Sequence, residues 1–425
     1  MSHLEPSDPT AGDTGNETLS ADHIEETAER HATNLELFLD LVFVFAVTQI
    51  ATLLATVGTA ASFGRGLLLT WLVWWLWSQF TWLGTAVDLD SRSLNQLLIL
   101  IAVPLTLLMA VALPDAYGAS GTKFAGAYLA VSLWSIAIQG RGLWGVDSTR
   151  RAFLQYAPLA SIAPCALLLG SLLDRGPRTA IWALVAILQI GSALFAGRKT
   201  TPGSSEWTID PLHFAERHSL FVIISLGEVL VAAGLAASAV ALDSSVGLAI
   251  VAAVSVACAL WWAYFSYIPS IIEERLRMSH GGDRGRVARN VFSFGHFPII
   301  FGIVLYAVAA KHVIAHPAQV LHSADLYALA LGIAIFVAGL SWLQWLMVGR
   351  VARERIAIMI AVPVLCAAVG PHIAGTILVS LIAAMLIVAQ TIIVRRFVRN
   401  LGSAVTESSG TTSAEATTDE SHLTD

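Results

Sequence analysis

A chain of 425 residues that is 56% hydrophobic and only 13% charged excludes an ordinary soluble domain, in which about 25% of residues are charged. Apolar runs of about 20 residues recur along it. That is the length of a membrane-spanning helix, not the roughly ten-residue alternation of a membrane β-barrel. The net charge of −6 belongs to the ends: residues 1–30 sum to −7, residues 402–425 to −5, and the stretch between them to +6.

Taken in order, residues 1–30 are rich in Ser, Thr, Asp, Glu and Gly, and such a composition cannot bury enough apolar surface to order itself. A disordered acidic tail is expected there, and another over 402–425. The N-terminus has neither the basic region nor the apolar run of a signal peptide. Apolar runs then predict membrane helices near 35–57, 67–86, 94–113, 122–140, 152–173, 179–197, 217–241, 246–268, 291–311, 324–347, 354–370 and 372–394. Gly370-Pro371 separates the last two, because proline fixes φ and removes a donor. Numbering the connections alternately puts 19 Lys and Arg on the side of both termini and 5 on the other. The positive-inside rule therefore predicts cytoplasmic termini.

Features of the first half recur in the second. Asp40 to Gln49 aligns without a gap on Ser219 to Glu228, Trp74-Trp75 matches Trp261-Trp262, and Asn95 to Pro104 resembles Asn290 to Pro298. The shared order predicts two parallel six-helix repeats, residues 31–200 and 201–401, in an all-α polytopic membrane protein of about twelve transmembrane helices.

The charges inside the apolar runs are the candidate functional residues, since a carboxylate in hydrocarbon normally pairs or faces a cavity. Glu36 and Asp40 share one face of the first helix. Glu36 reads as a helix-start acid beside the positive end of the dipole; Asp40 lies deeper. Gln49 is about 900° beyond Asp40, half a turn round. The seventh helix opens His213-Phe-Ala-Glu216-Arg217-His218 and carries Glu228 eleven residues past Arg217, about 1100° on and so on nearly the same face. Glu228 falls near mid-membrane and is the strongest candidate. Arg217 is read either as part of the positive-inside bias or as the partner of Glu216 or Asp40. Asp40, Gln49, Glu216, Arg217, His218 and Glu228 form the predicted binding set for a small ion or small molecule. The Trp-rich second helix reads as packing and an interfacial belt, with cation–π recognition as the alternative, and His296 as a structural histidine, with a ligand or proton relay as the alternative. Cys165, Cys258 and Cys366 sit in apolar runs and suggest neither disulfides nor a metal set. With no P-loop, Rossmann glycines, zinc motif or nucleophile elbow, no cofactor, metal, enzymatic reaction or nucleic-acid partner is expected, and the lipid bilayer is the expected surround. The arginines of 275–289 need nothing beyond anionic headgroups.

Glu36-Leu-Phe-Leu-Asp-Leu-Val-Phe-Val-Phe-Ala-Val-Thr-Gln49 and His213-Phe-Ala-Glu-Arg-His-Ser-Leu-Phe-Val-Ile-Ile-Ser-Leu-Gly-Glu228 resemble the paired motifs of the bacterial low temperature requirement protein A family. The resemblance spans roughly residues 31–400, with Leu39 where a second aromatic would be expected. It implies a multi-pass plasma-membrane protein associated by name with growth in the cold, and no settled biochemical activity. Phe38-Leu-Asp40 is also similar to the Phe-Ser-Asp signature of potassium channels built from six-helix repeats. Leu39 replaces the serine, and the second half has no matching Asp. The sequence thus predicts a transporter coupled to protons or cations through intramembrane carboxylates, with a cation channel or a non-transporting scaffold or sensor as alternatives.

Overall fold

The computed structural model describes residues 31–55, 59–86, 93–144, 147–196, 210–279 and 281–419. Among these there is no strand. The helices in chain order are α1 (Asn34–Ala55), α2 (Ala60–Ala86), α3 (Ser93–Ala112), α4 (Gly121–Leu143), α5 (Asp147–Ser171), α6 (Arg175–Ala196), α7 (Pro211–Ser238), α8 (Ser244–Phe265), α9 (Ile268–Arg277), α10 (Gly281–Ala288), α11 (His296–Ala315), α12 (Ser323–Val348), α13 (Arg353–Ala368) and α14 (Gly375–Asp419). Each of the twelve stretches predicted from the apolar runs is helical over most of its described residues. Ten segments of the described chain are long and apolar enough to cross a membrane. The other two long helices fall short by composition. α2 carries Arg65 and five tryptophans; α5 opens on Asp147, Arg150 and Arg151, leaving only Ala160–Ser171 strongly apolar.

The predicted N-terminal tail, 1–30, lies outside the described residues. α14 continues to Asp419, through most of the stretch where a disordered tail is expected. Extending an existing helix adds a hydrogen bond per residue without a new nucleus. The link expected between the eighth and ninth predicted helices instead holds α9, α10 and a π-helical turn, Arg289–Phe294. In α9, Ile268, Ile272 and Leu276 are buried at four-residue spacing, while Arg277 pairs with Glu273 at 2.7 Å on the other face.

The helices pack mostly on their neighbours in chain order. In the N-terminal half α1 packs on α2 and α3, α3 on α4, α4 on α5, α5 on α6, and α2 on α4 and α6. In the C-terminal half α7 packs on α8 and α11, α11 on α12, α12 on α13 and α13 on α14. The α8–α9 arm there packs on α12 and α14. The halves meet where α1 touches α7 and α11 and where α2 touches the same two helices. The segment containing α11 is the most enclosed, with 83% of its apolar window buried. It crosses α12 closely at Gly302 and Gly332: a Cβ on Gly302 would stand 2.7 Å from the Gly332 carbonyl oxygen and the Phe336 nitrogen. Small residues let helix backbones approach this far where no water-driven force brings them together.

At the end of the bundle far from the start of α1, buried Arg178 holds the turns together. It donates to the carbonyls of Ala116 (3.1 Å), Gly118 (2.9 Å), Ser171 (2.9 Å) and Leu173 (3.1 Å). These carbonyls lie at the ends of helices or in turns, where no intrahelical donor reaches them. In the other half the Thr376 hydroxyl donates to the Pro317 carbonyl at 2.8 Å and the Gly375 N–H to that of Gln319 at 2.8 Å. On the same side Asp243 caps α8, accepting from the backbone N–H groups of Val246 and Ser245; these bonds, that from Val246 foremost, hold its carboxyl below the usual range.

Candidate functional site

The site forms at the start of α1 and α7. Asp210 caps α7, accepting from the His213 N–H at 3.1 Å, and Pro211 occupies the first helical position, where its missing N–H costs nothing. This fixes the turn from which His213 and Arg217 project. Thr33 and Glu36 form a reciprocal capping box at the start of α1. The Thr33 N–H donates to Glu36 Oε2 (3.0 Å) and the Glu36 N–H to Thr33 Oγ1 (3.2 Å).

Glu36 is therefore a helix-start residue, but that reading is incomplete. Its side chain is only 2% exposed. His213 Nε2 lies 3.0 Å from Oε2 and 3.2 Å from Oε1, and Arg217 Nη1 donates to Oε1 at 3.1 Å. Arg217, itself fully buried, also donates from Nη2 to Asp40 Oδ1 at 2.6 Å and from Nη1 to the Phe80 carbonyl at 3.3 Å. Trp77 adds an indole N–H to the same Asp40 oxygen at 2.7 Å, and its ring faces the guanidinium at 5.8 Å. One arginine thus joins α1, α2 and α7. Gly84 makes room for it: a Cβ there would stand 2.6 Å from Glu36 Oε1 and 3.2 Å from His213 Cε1. Asp40 Oδ2 and Arg217 Nε have no hydrogen-bond partner.

The other predicted residues distribute around this cluster. Glu216 stands apart, accepting from the Ala32 N–H at 2.8 Å with His31 Nδ1 at 3.2 Å. It ties the approach to α1 onto α7. His218 is buried among aromatic rings, 4.9 Å from Trp77 and 4.7 Å from Phe292. Its Nδ1–H donates to the Phe214 carbonyl at 2.8 Å, leaving a buried, unpartnered Nε2. Glu228 is half-buried beside the Thr48 hydroxyl of α1, and Gln49 is half-buried next to it in sequence. The structure brings Asp40 and Arg217 together, but not Glu228 with either. Contacts run from Glu36–His213 through Asp40–Arg217 to Thr48–Glu228, so α1 and α7 lie side by side in parallel register.

The tryptophans of α2 do more than pack. The indole N–H of Trp71 donates to Gln189 Oε1 (3.1 Å), that of Trp74 to the Ser293 carbonyl (2.6 Å) and that of Trp82 to Ser293 Oγ (3.2 Å). Pro298, which has no N–H to donate, lies five residues beyond Ser293 in this π-to-α transition. His296 completes this wall. Its Nδ1–H donates to the Val291 carbonyl at 2.9 Å, and its Nε2 accepts from the Tyr264 hydroxyl at 2.8 Å. The structure thus places His296, read from sequence as structural, in a fully bonded core position. Sequence reasoning missed the bonding of Glu36 and His213; the Thr33-x-x-Glu36 spacing signals only the cap.

This architecture defines a helical, multi-pass membrane protein with a buried charge cluster between the first helices of its two halves. Residues 31–391 match the bacterial low temperature requirement A protein (LtrA) family, and the chain belongs to that family. It is also similar to an uncharacterized protein of Rhizobium meliloti, 27% identical over 334 residues that cover 75% of this chain and 78% of the relative. No solved structure matches it.

Proposed function

We propose that this LtrA-family protein is a secondary transporter in the plasma membrane that couples solute movement to protons or cations through its intramembrane carboxylates. It has twelve spans in two parallel six-helix repeats, residues 31–200 and 201–401, and cytoplasmic termini. Its role is to move a solute, not to convert it. The observation that carries this reading is the Glu36, Asp40, Arg217 and His213 cluster. Two carboxylates facing one guanidinium leave one negative charge. An uncompensated buried charge is costly, and one further proton shared within the cluster brings it to neutral. Such a group exchanges protons when water or an ion reaches it, which is how intramembrane carboxylates serve in pumps and transporters. Glu228 and Thr48 continue the polar line of α1 and α7 toward mid-membrane.

The repeat is supported by the packing. Each neighbour pair within 34–196 has a counterpart in 211–419, with the α8–α9 arm in place of α2. The parallel register of α1 and α7 fits halves related by an axis along the membrane normal. The 19 to 5 distribution of basic residues supports the orientation.

The test is proteoliposomes with a Na+ or K+ gradient and a pH-sensitive dye inside. Cation-driven proton movement is expected for the wild type and at least about a tenfold loss for Glu228→Gln, the loss of about 1.4 kcal/mol of stabilisation at the rate-limiting step. Wild-type vesicles no different from protein-free ones would sink the transporter. The same register of α1 and α7 also suits a cation channel. Ionic current across a planar bilayer without counter-movement of protons would favour that reading.

A further inference from the structure

A second group of titratable side chains lies at the opposite end of the bundle from Arg217. His312 and His316 stand one turn apart at the C-terminal end of α11, where the carbonyl ends of the helix favour a cation. His322 caps α12 without making a side-chain cap bond, and Asp325 follows in its first turn. One ligand atom from each of His312, His322 and Asp325 can be chosen so that all lie within 4.8 Å of one another.

The spacings distinguish two chemistries. His312 Nδ1 is 3.4 Å and His322 Nδ1 4.0 Å from Asp325 Oδ2. A charge-assisted N–H···O bond would bring these atoms to about 2.7–2.9 Å. Two ligands of a tetrahedral ion with bonds of about 2.0–2.1 Å stand roughly 3.3–3.4 Å apart. The first spacing matches that value, and the second needs only a small turn of an exposed imidazole. His312 Nε2 is buried without a hydrogen-bond partner, so this ring is not anchored by an alternative network. The loop between the two helices is held on its far side by Thr376 and Gly375 through the Pro317 and Gln319 carbonyls. The ligands therefore sit on a braced turn.

We propose that His312, His322 and Asp325 bind a divalent transition-metal ion of the zinc class, with His316, whose ring lies 5.0 Å from that of His312, as the candidate fourth ligand. Imidazole with a single carboxylate suits zinc, cobalt, nickel or copper and not magnesium or calcium, which take oxygen ligands. The ion would clasp α11 to α12 at their connection. It would bind here whichever solute the protein moves.

The experiment is titration of Co2+ into the full chain in detergent micelles with any affinity tag removed. The expected result is one Co2+ per chain, the intense visible absorption of a four-coordinate site, and loss of that absorption on adding Zn2+. His322→Gln is the first variant, because this side chain is 73% exposed and its replacement leaves the fold alone. Asp325→Asn is the second. Each is expected to weaken Co2+ binding at least about tenfold, no less than loss of an outer-shell partner does at known sites. Metal should raise the unfolding temperature of the wild type and not that of either variant. Absence of saturable binding, a six-coordinate spectrum, or equal affinity in wild type and both variants would overturn the proposal.

Discussion

The two ends of this bundle treat their charged side chains in opposite ways. At the α1–α7 end, Arg217, Glu36 and Asp40 are at most 2% exposed and bond one another at 2.6–3.1 Å. At the α11–α12 end, His312, His322 and Asp325 are 28%, 73% and 11% exposed, and the two imidazoles stand 3.4 and 4.0 Å from the Asp325 carboxylate. The first group is closed: its charges bond one another through a single guanidinium, and the one negative charge left over is met by a proton. The second is open: its donors are spaced for something placed between them. Burial makes the difference. A buried ion must find its partner within the protein, whereas a half-exposed one can wait for a ligand from solution.

The largest break in this contrast comes from Arg217→Met. It strands two buried carboxylates, and loss of about 3–5 kcal/mol of stability is expected in thermal or denaturant unfolding in detergent. Arg217→Lys should restore little of it, because one ammonium cannot reproduce the fork that serves Glu36, Asp40 and the Phe80 carbonyl together. Trp77→Phe keeps an aromatic ring but loses part of its buried volume and one donor to Asp40, with an expected cost of at least about 1.5–3 kcal/mol by the same measurement. Gly84→Ala pushes a methyl toward Glu36 and should cost about 1–3 kcal/mol. Glu216→Gln, at the solvated margin of the same end, should change stability by less than about 1 kcal/mol. If Glu216→Gln proved as damaging as Arg217→Met, burial would not be what separates these residues.

Much of the fold is legible in the sequence, because helices surrounded by lipid announce themselves as apolar runs. The break at Gly370-Pro371 is observed as a 3-10 turn, Gly370–His372. The interruptions between 265 and 296 are less legible. Pro269 and Pro298 mark that something changes there, but the bonds that Trp74 and Trp82 of α2 make to Ser293 in the π turn join residues more than 200 positions apart. The site was half legible. Asp40 and Arg217 stand out as charges in apolar surroundings. Glu36 does not, since a capping role accounts for it locally and its second role needs a helix some 180 residues away. The His312, His316, His322 and Asp325 group was missed for a related reason. Its spacing, four, six and three residues, crosses a helix end, a turn and a new helix, so no single period gathers it. The pair His312 and His316, one turn apart, is the signal that was present.

The central claim is that the buried cluster exchanges a proton as part of transport. Its most direct test is dye-monitored proton movement in proteoliposomes for Asp40→Asn beside the wild type, with the unfolding temperature of each measured in the same preparation. Asparagine keeps the size of the side chain and an acceptor for Trp77 and Arg217 while removing the charge. A folded Asp40→Asn protein that has lost cation-driven proton movement is the predicted result. A folded variant that moves protons at the wild-type rate would contradict it.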